Sequence, residues 1–292
     1  MYIVSGATGQ TGSAVARTLL EKNLPVRVIV RSEEKGKPWE EMGAEVAIAD
    51  LQDQESLTKA LEGGKALYLM IPPNYQSDDM YVEASKVINA FQTAIANSSL
   101  EKLVVLSSVG GHLPSGTGPV LSLHRLEEAF KDSDIPVTIV RPPSFMENWN
   151  SVLETVKADG VLPSFSFPLD QKYPQIDTEE IGRVGAEAML ESSEGIQVKE
   201  LAGIQYSPND VAAAFSRVLG KPVTAVPIPE DQWTDVFKTF SSPRNAEIMS
   251  ELFHNINAGL ITFETDNQIE SILTIDDYAN RALKVRTAHT SN

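Results

Sequence analysis

Six short apolar runs mark the first half of the chain: Tyr2-Ile3-Val4, Val26 to Val30, Glu45 to Ile48, Ala66 to Ile71, Leu103 to Leu106 and Val137 to Val140. Between them lie stretches of helical pattern, at Ser13 to Lys22 and at roughly 33–42, 54–62, 79–97 and 120–133. Nearly continuous apolar strands that alternate with amphipathic helices predict a parallel sheet covered on both faces. The fold class is therefore α/β, a doubly wound (Rossmann) sheet whose ligand lies at the carboxyl ends of the strands.

The rhythm breaks after Arg141. Pro142-Pro143 and the stretch from Pro163 to Pro174 read as irregular connections. Helical pattern resumes at Thr178 to Glu191, Pro208 to Leu219, Asp231 to Phe240 and about Arg244 to Asn257, with a short strand at Thr224 to Val226. Ser207-Pro208 has the form of an N-cap followed by proline at the first helical position. The expected division is a dinucleotide-binding domain over 1–155 and a smaller mixed α/β lobe over 156–292. Segments such as 175–203 are expected to return to the first domain. Thr287 to Asn292 are expected to fray.

Composition narrows the partners. Against 24 basic residues stand 40 acidic ones, a net charge of −16, and such a surface repels nucleic acid and anionic membranes. Cysteine is absent, which removes thiolate catalysis and Cys-ligated metals. The four histidines, His112, His124, His254 and His289, have no ligand spacing, so no metal site is expected. The first strand starts at residue 2 and no apolar run reaches membrane-spanning length, so the expectation is a cytoplasmic protein without a leader. The apolar share of 42% suffices for a large core.

The strongest local signal is Gly6-Ala-Thr-Gly-Gln-Thr-Gly12, between the first strand and the first helix. Gly6 permits a tight turn, Gly9 lets backbone approach a phosphate, and Gly12 lets helix and sheet lie close. The helix N-terminus then offers free N–H groups to a pyrophosphate. The second strand ends in Arg31-Ser32, about twenty residues past Gly12, where an NAD site carries an acid. A cation and a hydroxyl there suit a 2′-phosphate, so NADP(H) is expected over NAD(H). A solvated arginine is the plain alternative, and Glu33-Glu34 follow at once. Asp50-Leu51, ending the third strand, are placed to bracket the adenine.

With these motifs, Leu-Ser-Ser-Val-Gly-Gly (106–111) and Val-Arg-Pro-Pro-Ser-Phe-Met-Glu-Asn (140–148) resemble the NmrA-like family, an atypical branch of the short-chain dehydrogenases. The resemblance extends through Gln175-Ile176-Asp177 and Glu180-Ile181-Gly182 and is loose beyond them. It implies a Rossmann fold and an NADP(H) site. That family contains quinone reductases, isoflavone-reductase-like enzymes and proteins that bind NADP(H) as a redox signal. It further implies that Thr8, Gln10 and Thr11 line the pyrophosphate with the three glycines, that Ile71, Pro72 and Pro73 pass over the adenosine, and that Ser107 and Ser108 flank the nicotinamide ribose. Pro142, Ser144 and Phe145 would lie near the nicotinamide ring. Asn148 would close the cleft floor.

A typical short-chain dehydrogenase donates a proton from a Tyr hydroxyl beside a Lys on the next helical turn. Between Ser107 and Lys131 this chain has neither residue, and Leu123 stands where the lysine would. Candidate substitutes are His124 and Tyr75, or water alone. His112, Trp149, Phe165, Phe167 and Trp233 are candidates for a ring-accepting pocket, with core packing as the rival reading of the aromatics. Glu127-Glu128 and Asp276-Asp277 are adjacent on helices, where neighbours point about 100° apart, and read as solvated faces. The reading is a reductase passing hydride from NADPH to a flat conjugated acceptor such as a quinone. Its alternative is a non-catalytic NADP(H) sensor acting on a regulatory protein partner. A homodimer is left open.

Overall fold

The computed structural model describes residues 1–284. Thr287 to Asn292, expected to fray, and His289 lie outside the described residues. The first half reads β1 (Tyr2–Val4), α1 (Gln10–Glu21), β2 (Val26–Val30), α2 (Glu33–Glu41), β3 (Glu45–Ile48), α3 (Gln54–Leu61), β4 (Ala66–Leu69), α4 (Met80–Ala96), β5 (Lys102–Leu106), α5 (Val120–Ala129) and β6 (Val137–Arg141). Then come β7 (Ser144–Phe145), a 3-10 segment (Met146–Val152), α6 (Leu153–Asp159), β8 (Val161–Ser164), β9 (Tyr173–Ile176) and α7 (Thr178–Leu190). The chain closes with β10 (Ile196–Glu200), β11 (Ile204–Tyr206), α8 (Pro208–Leu219), β12 (Thr224–Pro227), α9 (Trp233–Lys238), α10 (Pro243–Asn257) and α11 (Ile275–Lys284).

The main sheet has seven strands in the order β10-β6-β5-β4-β1-β2-β3, all parallel. Successive residues of a strand face opposite ways, and both faces here are apolar. Ile3, Leu67, Leu69, Leu103 and Val105 meet α3 and α4 through Leu57, Leu61, Ile88 and Phe91. Val4, Val28, Tyr68, Val104 and Val140 meet α1 and α7 through Val15, Leu19, Ile181 and Val184 on the other side. The order reverses between β1 and β4, and the cleft opens at that switch.

Six strands were expected and the seventh is β10. Its Ile196-Gln197-Val198 is exposed on an edge, so its alternating composition hides it among surface segments. The stretch from Pro163 to Pro174 is also more regular than its prolines imply. Both ends are strands: β8 pairs with β12, and β9 lies between β11 and β7. Two small sheets, α6, α8 and α11 share a separate core of Met146, Leu153, Leu162, Phe215 and Tyr278. Helix α8 begins as expected, with Ser207 accepting from Asp210 N and the Asp210 carboxylate accepting from Ser207 N. Among the described residues no helix is long and apolar enough to cross a membrane.

Candidate functional site

The turn from β1 into α1 is built from backbone. Gly6 has φ +67°, and Gly9 N donates to Gly6 O at 2.9 Å. A Cβ at residue 12 would lie 2.4 Å from Gly6 O, so only glycine allows this approach. Gly9 caps α1 without a side-chain bond. The N–H groups of Gln10, Thr11 and Gly12 therefore have no partner among the described residues, and they carry the positive end of the helix dipole. Thr8, Gly9 and Gln10 are exposed beside them, whereas the Thr11 side chain is buried.

Beyond the turn, Arg31, Asp50, Leu51, Pro72 and Pro73 come together with Gln52, Asn74, Glu83 and Val87 around a cavity of about 170 Å³. Arg31 is exposed and makes no ion pair or hydrogen bond among the described residues. Ser32 caps α2 with an extended backbone and leaves its hydroxyl uncommitted. Glu83, by contrast, is occupied. Its hydrogen bond from Lys86 and another from Gln52 hold its carboxyl below the ordinary range. Ile71 does not join this wall; its side chain packs into the sheet core.

A second cavity, of about 320 Å³, opens beyond the carboxyl ends of β5 and β6. Ser108, Val109, Pro143, Ser144, Phe145 and Asn148 form its wall on the sheet side. Gln171, Lys172 and Tyr173, with Leu252, Ile256 and Ile261, close it from the second lobe. Pro142 is buried beneath, its carbonyl accepting from Val109 N at 2.9 Å. The Tyr173 hydroxyl is a weak acid, pushed up to about 12 by burial.

Several expected residues are elsewhere. Ser107 is buried and donates its hydroxyl to Glu127. His124 Nδ1 donates to Gly111 O at 2.9 Å, which ties the ring to the loop after β5. His112 has a buried Nδ1 with no partner and does not line the second cavity. Trp149 is core, with Nε1 donating to Gln175 Oε1 at 2.8 Å. Tyr75 meets Phe240 edge-on at 6.4 Å and packs near Tyr81 and Ile248, away from both cavity walls. Phe165 stacks on Phe237 at 4.5 Å within the second lobe, and Trp233 joins the same cluster.

Glu127 is not on a solvated face. It is buried and takes two bonds from Arg141, Nε at 2.9 Å and Nη2 at 2.6 Å. Arg141 also reaches Glu264, and Glu200 lies 3.7 Å from it. Glu200 in turn accepts from Glu264 N at 3.0 Å and Thr265 N at 2.9 Å. Burial alone would lower the Arg141 pKa; the bonds to Glu127 and Glu264 outweigh it and raise it above the ordinary value. The hydrogen bond from Arg141 holds Glu264 below its usual range. This cluster joins β6, α5, β10 and the segment before α11, and so holds the second cavity's wall at Ile261 against the loop at Gly110.

Lys172, Tyr173, Leu252, Ile256 and Ile261 went unrecognised in the sequence. The one available signal was Leu252 and Ile256, four apart on an expected helix that is also apolar on its other side at Met249 and Phe253.

The model of the NmrA-like family matches residues 2–277. The chain belongs to that family. Among relatives, an NAD(P)H azoreductase of Xenophilus azovorans is 27% identical over 256 residues, covering 87% of this chain and 86% of its own. Quinone oxidoreductase 2 of Escherichia coli is 26% identical over 247 residues, 83% of each chain. Among solved structures, the triphenylmethane reductase of Citrobacter sp. complexed with NADP(H) superposes with a TM-score of 0.79 over 97% of this chain and 100% of that one, at 22% identity. That likeness shows the fold, a seven-stranded parallel sheet with small companion sheets.

Proposed function

We propose that this NmrA-like protein is an NADP(H)-dependent reductase that passes hydride to a flat conjugated acceptor such as a quinone. One observation carries the reading: an uncapped glycine turn and an apolar cavity lie along the same carboxyl edge of one sheet. The free N–H groups of Gln10 to Gly12 suit a pyrophosphate. Uncommitted Arg31 and the Ser32 hydroxyl, at the start of α2, suit a 2′-phosphate. The bound dinucleotide would supply the hydride. Pro143, Phe145, Leu252 and Ile256 would hold the acceptor flat and exclude water from its faces. Neither His124 nor Tyr75 lines the cavity, so solvent would supply the proton to the hydroquinone anion. The names of the azoreductase and quinone oxidoreductase relatives support the same reading.

The absence of both expected donors, His124 and Tyr75, from the cavity wall favours a second reading, an NADP(H) sensor that turns nothing over. One titration separates the two. NADPH fluorescence is followed to saturation, and a simple quinone is then added. Rapid loss of signal is the expected result. Binding with a stable signal across a panel of quinones and enones would abandon the reductase and leave the sensor, whose oligomeric state or partner affinity would follow the NADPH/NADP⁺ ratio.

A further inference from the structure

The second cavity has a charge asymmetry at odds with the rest of the molecule. The chain carries 40 acidic residues and a net charge of −16, yet no carboxylate lines this wall. Its one charged lining residue is a cation, Lys172. Around it the wall presents further donors that are uncommitted among the described residues: the Ser144 hydroxyl and the Asn148 side-chain amide.

Lys172 is held loosely. Its ion-pair partner, Asp210, lies 3.8 Å away, and the lysine side chain is 58% exposed. The facing oxygen of Asp210, Oδ2, already accepts from Ser207 N at 2.9 Å and from Ser207 Oγ at 2.8 Å. Those bonds fix the carboxylate in the cap of α8 and leave the ammonium donors largely free. The ring faces of a bound acceptor would meet Phe145, Leu252 and Ile256, while Lys172 stands on the wall contributed by the second lobe.

We infer that Lys172 makes the cavity selective for planar aromatic acceptors bearing an anionic substituent, a sulfonate or carboxylate, at the edge that faces the second lobe. The inference rests on the reading of this cavity as the acceptor site, and it names the class of acceptor. The long-range field of the protein repels such a molecule, so recognition is local: one charge-assisted bond from Lys172, with Asn148 and Ser144 available for the remaining oxygens.

The test needs no turnover. Binding of naphthalene-2-sulfonate and of neutral naphthalene-2-methanol to NADP⁺-saturated protein is measured by calorimetry, in the wild type and in Lys172→Met and Lys172→Arg. The expected result is sulfonate affinity reduced about fivefold by Lys172→Met and restored by Lys172→Arg, the scale for a partly exposed charge pair. The neutral probe should bind all three alike. Sulfonate binding that is absent, indifferent to Lys172, or weakened in step with the neutral probe overturns the inference. A sulfonate site that behaves as expected in a protein that oxidises no NADPH with any quinone overturns the reductase and leaves this anion selectivity standing.

Discussion

The two ends of the cleft are built by different means. At the β1–α1 turn, residues within seven positions of each other shape the site, and backbone supplies the binding groups: Gly6 turns, Gly12 approaches, and the first N–H groups of α1 stay free. At the second cavity the walls come from residues far apart in the chain, most of them with large side chains. Those side chains come from the loops after β5 and β6, from the run before β9, and from α10 and the segment beyond it. The first end suits a group common to many proteins, a pyrophosphate. The second has a size, a ring-lined wall and a charge that belong to this chain. A family can therefore keep one end while varying the other.

The Arg141 cluster, which braces the wall of the second cavity, is the first place to break this contrast. Replacing Arg141 by Leu leaves Glu127 and Glu200 buried, and the more exposed Glu264 beside them, without their cation. It should cost about 3–5 kcal/mol in urea unfolding, because uncompensated buried charge is the expensive outcome. A cost near zero would mean that the cluster does not brace the cavity wall. Next in size is Gly12→Val. The added side chain meets Gly6 carbonyl oxygen and should cost about 1–3 kcal/mol of stability. In NADPH titrations it should also cost most of the affinity, with the apolar cavity intact by sulfonate binding.

Arg31→Ala sharpens the nucleotide side. NADPH affinity should drop by about 1.5–3 kcal/mol, the scale of a hydrogen bond to a charged group, while NADH affinity barely moves. Equal losses for the two cofactors would show that Arg31 does not read the 2′-phosphate.

The smallest effect concerns the second lobe. Glu147 accepts from Thr178 N at 3.2 Å, and burial, followed by the neighbouring Asp177 charge, raises its pKa from 4.5 to about 7. A carboxyl with a raised folded pKa binds its proton more tightly when folded. Its contribution to stability is therefore full below about pH 4.5 and is lost as pH rises through about 7. Glu147→Gln should flatten that slope and, at pH 8, make the protein more stable by about 1–2 kcal/mol. Thermal melts from pH 4 to pH 8 would read it, and parallel wild-type and variant curves would refute it.

The same contrast explains what was legible in the sequence. The glycine turn, Arg31, Asp50-Leu51 and Pro72-Pro73 stand at strand ends whose order follows from apolar periodicity, and all but the glycine turn line one cavity. Strands β1, β2, β4, β5 and β6 were legible for the same reason, since burial keeps them mostly apolar, and the exposed edge strand β3 was read from Val46 to Ile48 beside them. Strand β10 was missed because an edge strand mixes Ile and Val with Gln and Lys. Lys172 and Tyr173 were missed because Pro168 and Pro174 make their surroundings look like loop, and nothing local indicates which segment they will face. His124 and Tyr75 failed in the opposite sense. Their chemistry fitted a proton donor, but the Gly111 carbonyl and the Phe240 ring hold them elsewhere. Glu127 was misread because a helix's own periodicity does not reveal an arginine arriving from β6.

The late position of β10 in the chain has a consequence for synthesis. Strand β6 is buried along its whole length, Val137 to Arg141, and its outer neighbour is made of residues 196–200. While the ribosome works through the intervening second-lobe segments, the nascent sheet ends in an open and mostly apolar edge, the kind that pairs with other chains. Premature release anywhere between Arg141 and Ile196 would free that edge permanently. The intervening residues thus set a window of exposure to aggregation, which closes only when Glu200 has left the exit tunnel.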